Sequence, residues 1–202
     1  MYNHKPLTVG RDTTKNDTTI MRKIVLSTIF AVLSICVSAQ TPIKFLGIPV
    51  DGSKAEMIEK IKAKGFEYDA YNDCLIGEFN GRQSQIYIVT NNNKVYRVAV
   101  FEKGTSDEAQ IRIRFNNLTL QFMNNEKYES CYNIFDTLFI PDNENISHEM
   151  LVNKKQYEAS FEPKDKSIIG TVWYRIAKNY GSSYCICIYY DNPMNKANGE
   201  DL

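Results

Sequence analysis

Aromatic side chains are the most concentrated chemical resource in this chain, which carries 13 Tyr, 10 Phe and one Trp in 202 residues. Trp173, Tyr174, Tyr184, Tyr189 and Tyr190 crowd into its last two apolar segments. Rings with an apolar body and a polar tip fill small sheet cores and leave their hydroxyls at the edge. The same rings are enriched at binding hot spots. Core filling and a recognition face for a protein or a glycan are both open readings of these five residues.

Catalytic chemistry has weaker support. A Ser–His or Cys–His nucleophile pair would have to use His148, because the other histidine is His4 in the polar opening segment. Ser147-His148-Glu149 follows a polar loop rather than a strand end or a tight elbow, which reads as a surface histidine. Acidic residues are plentiful, but none lies in an apolar stretch that would raise its pKa, so hydrolysis by paired carboxylates has no anchor. Asp191-Asn192-Pro193-Met194-Asn195 fails as a calcium loop, since Pro193 takes the third position and no glycine the sixth. Gly47–Gly52 lacks the further glycines and the strand–helix context of a nucleotide fingerprint. The sequence assigns no catalytic residue, cofactor site or metal site.

The first 39 residues divide into two parts. Residues 1–20 are polar and without apolar period, the composition of a disordered stretch or a mis-assigned start. Arg22-Lys23, an apolar run from Ile24 to Val37, and Val37-Ser38-Ala39 before Gln40 make a signal-peptide pattern over 21–39, with cleavage between Ala39 and Gln40. The run is short for a membrane span of about 20 residues. Ile35 stands where a lipoprotein signal before Cys36 wants a small residue. A periplasmic or secreted protein is the expectation.

Setting aside the five basic and two acidic residues of 1–39 from 24 of each leaves 19 Lys+Arg against 22 Asp+Glu. That balance gives no electrostatic footprint for nucleic acid. An exported compartment permits disulfides. Cys185 and Cys187 share one strand face and are poorly placed to bond each other, so Cys131 with one of them is the candidate pair. Free buried thiols, Cys74 included, are the other reading. Zinc is disfavoured, because no C-x-x-C occurs.

The elements that would position the aromatic segments start at Phe45–Phe66. Ser53 and Glu56 have capping-box spacing, Met57, Ile58 and Ile61 form an apolar stripe, and Gly65 is a left-handed stop, which predicts a helix over 53–64. Asp73–Phe79, Gln83–Thr90 and Val95–Phe101, joined by Asn80-Gly81 and Asn91–Lys94, predict an antiparallel meander. Residues 106–124 fit a helix with Ser106 as N-cap, which leaves Ile113 and Leu120 on its far face. They also fit a hairpin through period-2 alternation. The helix is the reading adopted. A helical turn near 145–151 and strands over 156–161, 168–176 and 183–190 complete the pattern, and the polar tail after Asp191 is expected to fray. The fold class is α+β: one domain over 40–202, in two helix-plus-three-strand units over 45–102 and 106–191. Together they form a mostly antiparallel sheet with helices on one face.

The runs FLGIPVDGSKAEMIEKIKAKGF, RFNNLTLQFMNNEKY and KKQYEASF resemble a group of uncharacterised small exported proteins of Gram-negative gut anaerobes. That resemblance implies export and no particular activity. The helix-then-meander order is similar in outline to tandem-repeat beta-lactamase inhibitor proteins. Asp136-Thr137-Leu138 looks like the Asp-Thr/Ser-apolar acceptor used for O-glycosylation in such bacteria, which would make Thr137 the modified residue. A binding module is the favoured reading, with a small secreted hydrolase using a carboxylate or cysteine, or a structural envelope protein, as alternatives.

Overall fold

The structure, a computed structural model, describes Met1 and residues 40–132, 138–179 and 183–196. The elements below all belong to the unit Gln40–Leu202. They begin with β1 (Thr41–Pro42), β2 (Lys44–Phe45) and β3 (Ile48–Pro49), then α1 (Lys54–Lys62). After β4 (Glu67–Asp69), β5 (Cys74–Phe79), β6 (Arg82–Asn91) and β7 (Lys94–Glu102) comes α2 (Glu108–Met123). The second half adds β8 (Tyr128–Ser130), α3 (Ile146–Leu151), β9 (Glu158–Pro163), β10 (Ile168–Ile169), β11 (Thr171–Lys178) and β12 (Tyr184–Asp191).

Eight strands make one antiparallel sheet in the order β4-β5-β6-β7-β12-β11-β9-β8. β4 to β7 step inward from one edge and β8, β9, β11 and β12 from the other, and β7 pairs with β12 at the centre. The edge strands β4 and β8 were not expected, because at three residues each they are too short to show periodicity.

Both long helices lie on the same face. Met57 and Ile61 of α1 join Ile111, Phe115 and Leu118 of α2 in one buried cluster with Leu75, Ile86, Val98, Val100, Tyr174, Ile186 and Ile188 of the sheet. The capping box of α1 forms as the spacing predicts: Glu56 N–H donates to Ser53 Oγ at 3.3 Å, and Ser53 N–H to Glu56 Oε2 at 3.0 Å. Residues 108–123 are helical and leave Ile113 60 % and Leu120 45 % exposed, which excludes the hairpin. The N-cap is Asp107 rather than Ser106. Asp107 Oδ1 accepts Gln110 N–H at 2.8 Å, whereas the Ser106 backbone exchanges two hydrogen bonds with Tyr184. A carboxylate at the N-cap also suits the positive end of the helix dipole.

The hairpin turns hold their expected left-handed residues, with Asn80 and Gly81 at φ +49° and +74°. Leu46 and Gly47 repeat that geometry between β2 and β3. Gly170, at φ +133°, separates β10 from β11 because a Cβ there would lie 2.5 Å from the Asp191 carbonyl oxygen. The tail does not fray directly after Asp191. Asn192 is fully buried and its Nδ2 donates to the Val50 carbonyl at 2.8 Å. Asn195 Nδ2 reaches Asp51 Oδ1 at 2.7 Å and the Val95 carbonyl at 2.8 Å. Amide side chains thus tie the end of β12 to the start of α1, a role that polarity alone does not reveal.

Beside α3, Glu144 accepts hydrogen bonds from Lys155 and Tyr157. Burial pushes its carboxyl up, but those two donors outweigh burial and hold it below the ordinary value of 4.5. A carboxyl depressed in the folded state contributes stability above its unfolded pKa and loses it as pH falls through the folded pKa. Glu144→Gln is therefore expected to lose less stability than the parent between about pH 6 and about pH 3, measured by urea unfolding. Parallel losses in the two proteins would contradict this.

Candidate functional site

The sheet's second face carries rows of aromatic and charged side chains. In β-strands alternate residues point to opposite faces, and the observed registers align the outward positions of β6, β7, β12 and β11 into rows. Tyr87 pairs with Ala99, Ala99 with Tyr189, and Tyr189 with Trp173. The adjacent row runs Gln85, Phe101, Cys187, Arg175, and on the other side lie Val89, Arg97, Asp191 and Thr171. Ala99, Cys185, Cys187 and Tyr189 form a second, buried apolar cluster, flanked by partly buried Tyr87, Phe101, Trp173 and Ala177.

The rings in these rows touch one another. Trp173 and Tyr189 stack with centroids 4.1 Å apart and planes at 21°. Phe101 meets Tyr189 edge-on at 6.1 Å, and Tyr87 meets Phe101 edge-on at 5.4 Å. The Arg97 guanidinium lies 5.0 Å from the Tyr189 ring and 5.4 Å from the Trp173 ring, within cation–π range. Asp191 holds it there through both oxygens, at 2.6 and 2.7 Å, and also accepts the Trp173 indole N–H at 3.0 Å. Such a bidentate pair fixes the plane of the guanidinium, so Arg97, Asp191 and Trp173 hold one another in place. Arg175, exposed, stands 6.0 Å from the Tyr189 ring. A cleft of about 680 Å³ opens on this face between Tyr87, Phe101, Tyr189, Cys185 and Asn179.

The five aromatic residues singled out from sequence do not share one face. Trp173 and Tyr189 point outward; Tyr174, Tyr184 and Tyr190 point to the helices. Tyr174 is fully buried, with its hydroxyl 2.7 Å from Thr119 Oγ1, and Tyr184, also fully buried, has its hydroxyl 2.5 Å from Ser147 Oγ. Tyr190 lies edge-on to Phe45 at 5.0 Å. Consecutive positions such as Trp173-Tyr174 and Tyr189-Tyr190 must face opposite ways. Tyr87, Arg97, Phe101 and Arg175 were missed. Each sits at an alternating position of a recognised strand, but only the pairing of β12 between β7 and β11 brings them beside Trp173 and Tyr189.

The four cysteines of the described residues are free. Cys131 follows β8, with β9 and β11 between it and β12. Strands lie about 4.8 Å apart, so three spacings exceed the roughly 7 Å Cα separation that a disulfide tolerates. The candidate pair of Cys131 with Cys185 or Cys187 is thereby overturned. Cys185 and Cys187 adjoin, and the hydrogen bond between their thiols lowers Cys185 and raises Cys187. Cys131 is exposed while Cys74, Cys185 and Cys187 are buried. Iodoacetamide labelling mapped by mass spectrometry should modify Cys131 in the folded protein, and Cys74 and Cys187 only on unfolding. Equal labelling of Cys74 or Cys187 in the folded state would refute that burial.

His148 is an exposed residue of α3 whose Nδ1 lies 3.6 Å from Glu149 Oε1. Among the described residues no cluster of three or more His, Cys, Asp or Glu side chains is placed to hold a metal ion. Nor is any helix among them long and apolar enough to cross a membrane. Thr137 and Ala39, the glycosylation and cleavage expectations, lie outside the described residues, and Gln40 is exposed. No family model, curated protein or solved structure matches the chain.

Proposed function

We propose that the protein is an exported, non-enzymatic binding module of the periplasm or cell surface that takes a protein or glycan partner on its outer sheet face. One observation carries this reading: the aligned row Tyr87–Ala99–Tyr189–Trp173, flanked by Arg97 and Arg175, on the face opposite the helices. Ala99 and Tyr189 are buried, so a partner would meet the half-buried Tyr87, Arg97 and Trp173 and the exposed Arg175. Aromatic and arginine side chains are the types that dominate binding energy at interfaces. Trp173 and Arg97 are held rigidly by Asp191, which reduces the ordering cost of binding. Export rests on Arg22-Lys23, the apolar run to Val37 and the small residues before Gln40, and the resemblance to small exported proteins agrees with it. The two halves, each a helix followed by a meander running inward from an edge, read as paired units that build this face at their junction.

The test is parallel capture from envelope extract and from a glycan array, with the parent chain, Trp173→Ala and Tyr71→Ala. Tyr71, 95 % exposed in the turn between β4 and β5, serves as the control. A partner bound by the parent and by Tyr71→Ala, and lost or weakened about tenfold or more by Trp173→Ala, is the expected result. A partner bound equally by all three chains would place recognition elsewhere.

A further inference from the structure

The helix layer on the inner face is incomplete. Between the C-terminal half of α2 and the β2–β3 hairpin a cleft of about 970 Å³ opens, and its floor is the central strand β12. Ile188 and Tyr190 of that strand form the floor, Leu118 and Phe122 of α2 one wall, and Phe79 and Tyr128 the ends. A volume of this size suits a small organic ligand, and such sites are mostly apolar with a few placed polar groups.

Here the placed groups are two phenols. Neither the Tyr128 nor the Tyr190 hydroxyl has a hydrogen-bond partner among the described residues, although most other half-buried or buried polar side chains of the core are paired, as Thr119 with Tyr174 and Ser147 with Tyr184 are. Burial raises both phenols, and both residues line the same cleft. Both face the same space. A half-buried hydroxyl without a protein partner can exchange water for a ligand's oxygen and gain one hydrogen bond. The rim does not select a charge: Lys44, Lys127 and Lys164 stand against Glu78, Glu126 and Asp165.

We infer that this cleft binds an uncharged amphiphile, with its apolar body against Leu118, Phe122 and Ile188 and its hydroxyl or carbonyl oxygens on the Tyr128 and Tyr190 hydroxyls. The site is independent of the outer face, since the sheet lies between them.

Prodan, an uncharged naphthalene bearing a carbonyl, is the probe, and anilinonaphthalene sulfonate is its anionic comparator. With the full chain, prodan fluorescence should shift to the blue and saturate, and the sulfonate should bind at least about tenfold more weakly. Gln121→Trp places a ring at the mouth from an exposed helix position and should abolish the prodan signal. Tyr128→Phe and Tyr190→Phe keep the apolar walls and should each weaken prodan about two- to tenfold, the effect of one hydrogen bond. Trp173→Ala, on the other face, should leave it unchanged. Prodan binding unaffected by Gln121→Trp, or by both Phe variants, would overturn the assignment. So would equal affinity for the two probes, or loss of binding in Trp173→Ala. Because Trp173→Ala alone probes the outer face, failure here leaves the recognition-face reading standing, and the converse holds.

Discussion

Replacing Arg114 by alanine is expected to cost about 3 kcal/mol of folding stability, the low end of the range found when one partner of a buried ion pair is removed, because this pair is part-buried. Arg114 on α2 and Glu102 on β7 are 11 % and 8 % exposed at their side chains. Arg114 Nε donates to Glu102 Oε1 at 2.9 Å, Nη2 donates to the same oxygen, and Nη2 also reaches the Asn80 carbonyl at 3.4 Å. The pair thus bolts α2 to the sheet and to the β5–β6 turn. Truncation leaves a carboxylate out of water without its cation. The double variant Arg114→Met/Glu102→Met removes both charges while keeping volume, and should recover most of the loss. Urea unfolding at neutral pH measures both. A loss under about 1 kcal/mol for Arg114→Ala would mean that water reaches Glu102 and that the pair is effectively a surface bridge.

Phe161→Ala is expected to be of similar size, about 3–5 kcal/mol, by loss of transfer energy and creation of a cavity. Phe161 on β9 is fully buried. Its ring stacks on Phe122 of α2 at 4.9 Å and 17°, and lies nearly parallel to Tyr174 of β11 at 6.2 Å and 11°. Three elements lose a shared contact at once, so collapse around the hole is limited. Phe161→Leu should cost clearly less. Stability in a mesophilic domain is typically about 5–15 kcal/mol, so either large change endangers folding at 37 °C. An Ala variant no less stable than the Leu variant would show that the stack carries no packing energy.

Local chemistry was legible in the sequence and long-range order was not. Ser53 with Glu56, Asn80-Gly81, and the alternation of Val95–Phe101 each act within a few residues, so spacing reveals them. Asp107 displaced Ser106 at the second cap because Ser106 is drawn into pairing with Tyr184, seventy-odd residues away in sequence. Asn192 and Asn195 read as solvated tail because the carbonyls of Val50 and Val95 that hold them lie near the start of the fold. The site divides in the same way. Trp173 and Tyr189 were visible as part of an aromatic excess, but composition does not say which face a ring takes. Tyr87, Arg97 and Phe101 join them only through the central β7–β12 pairing.

The most direct test of the central claim, that the outer sheet face is the recognition surface, is site-specific photo-crosslinking in envelope extract. Benzoylphenylalanine would replace Tyr87 on that face or, in a second chain, Ile113 on the exposed side of α2. The account predicts a discrete adduct from position 87 that disappears when Trp173 is also changed to alanine, and none from position 113. An adduct at 113 alone, or one at 87 indifferent to Trp173, would contradict it.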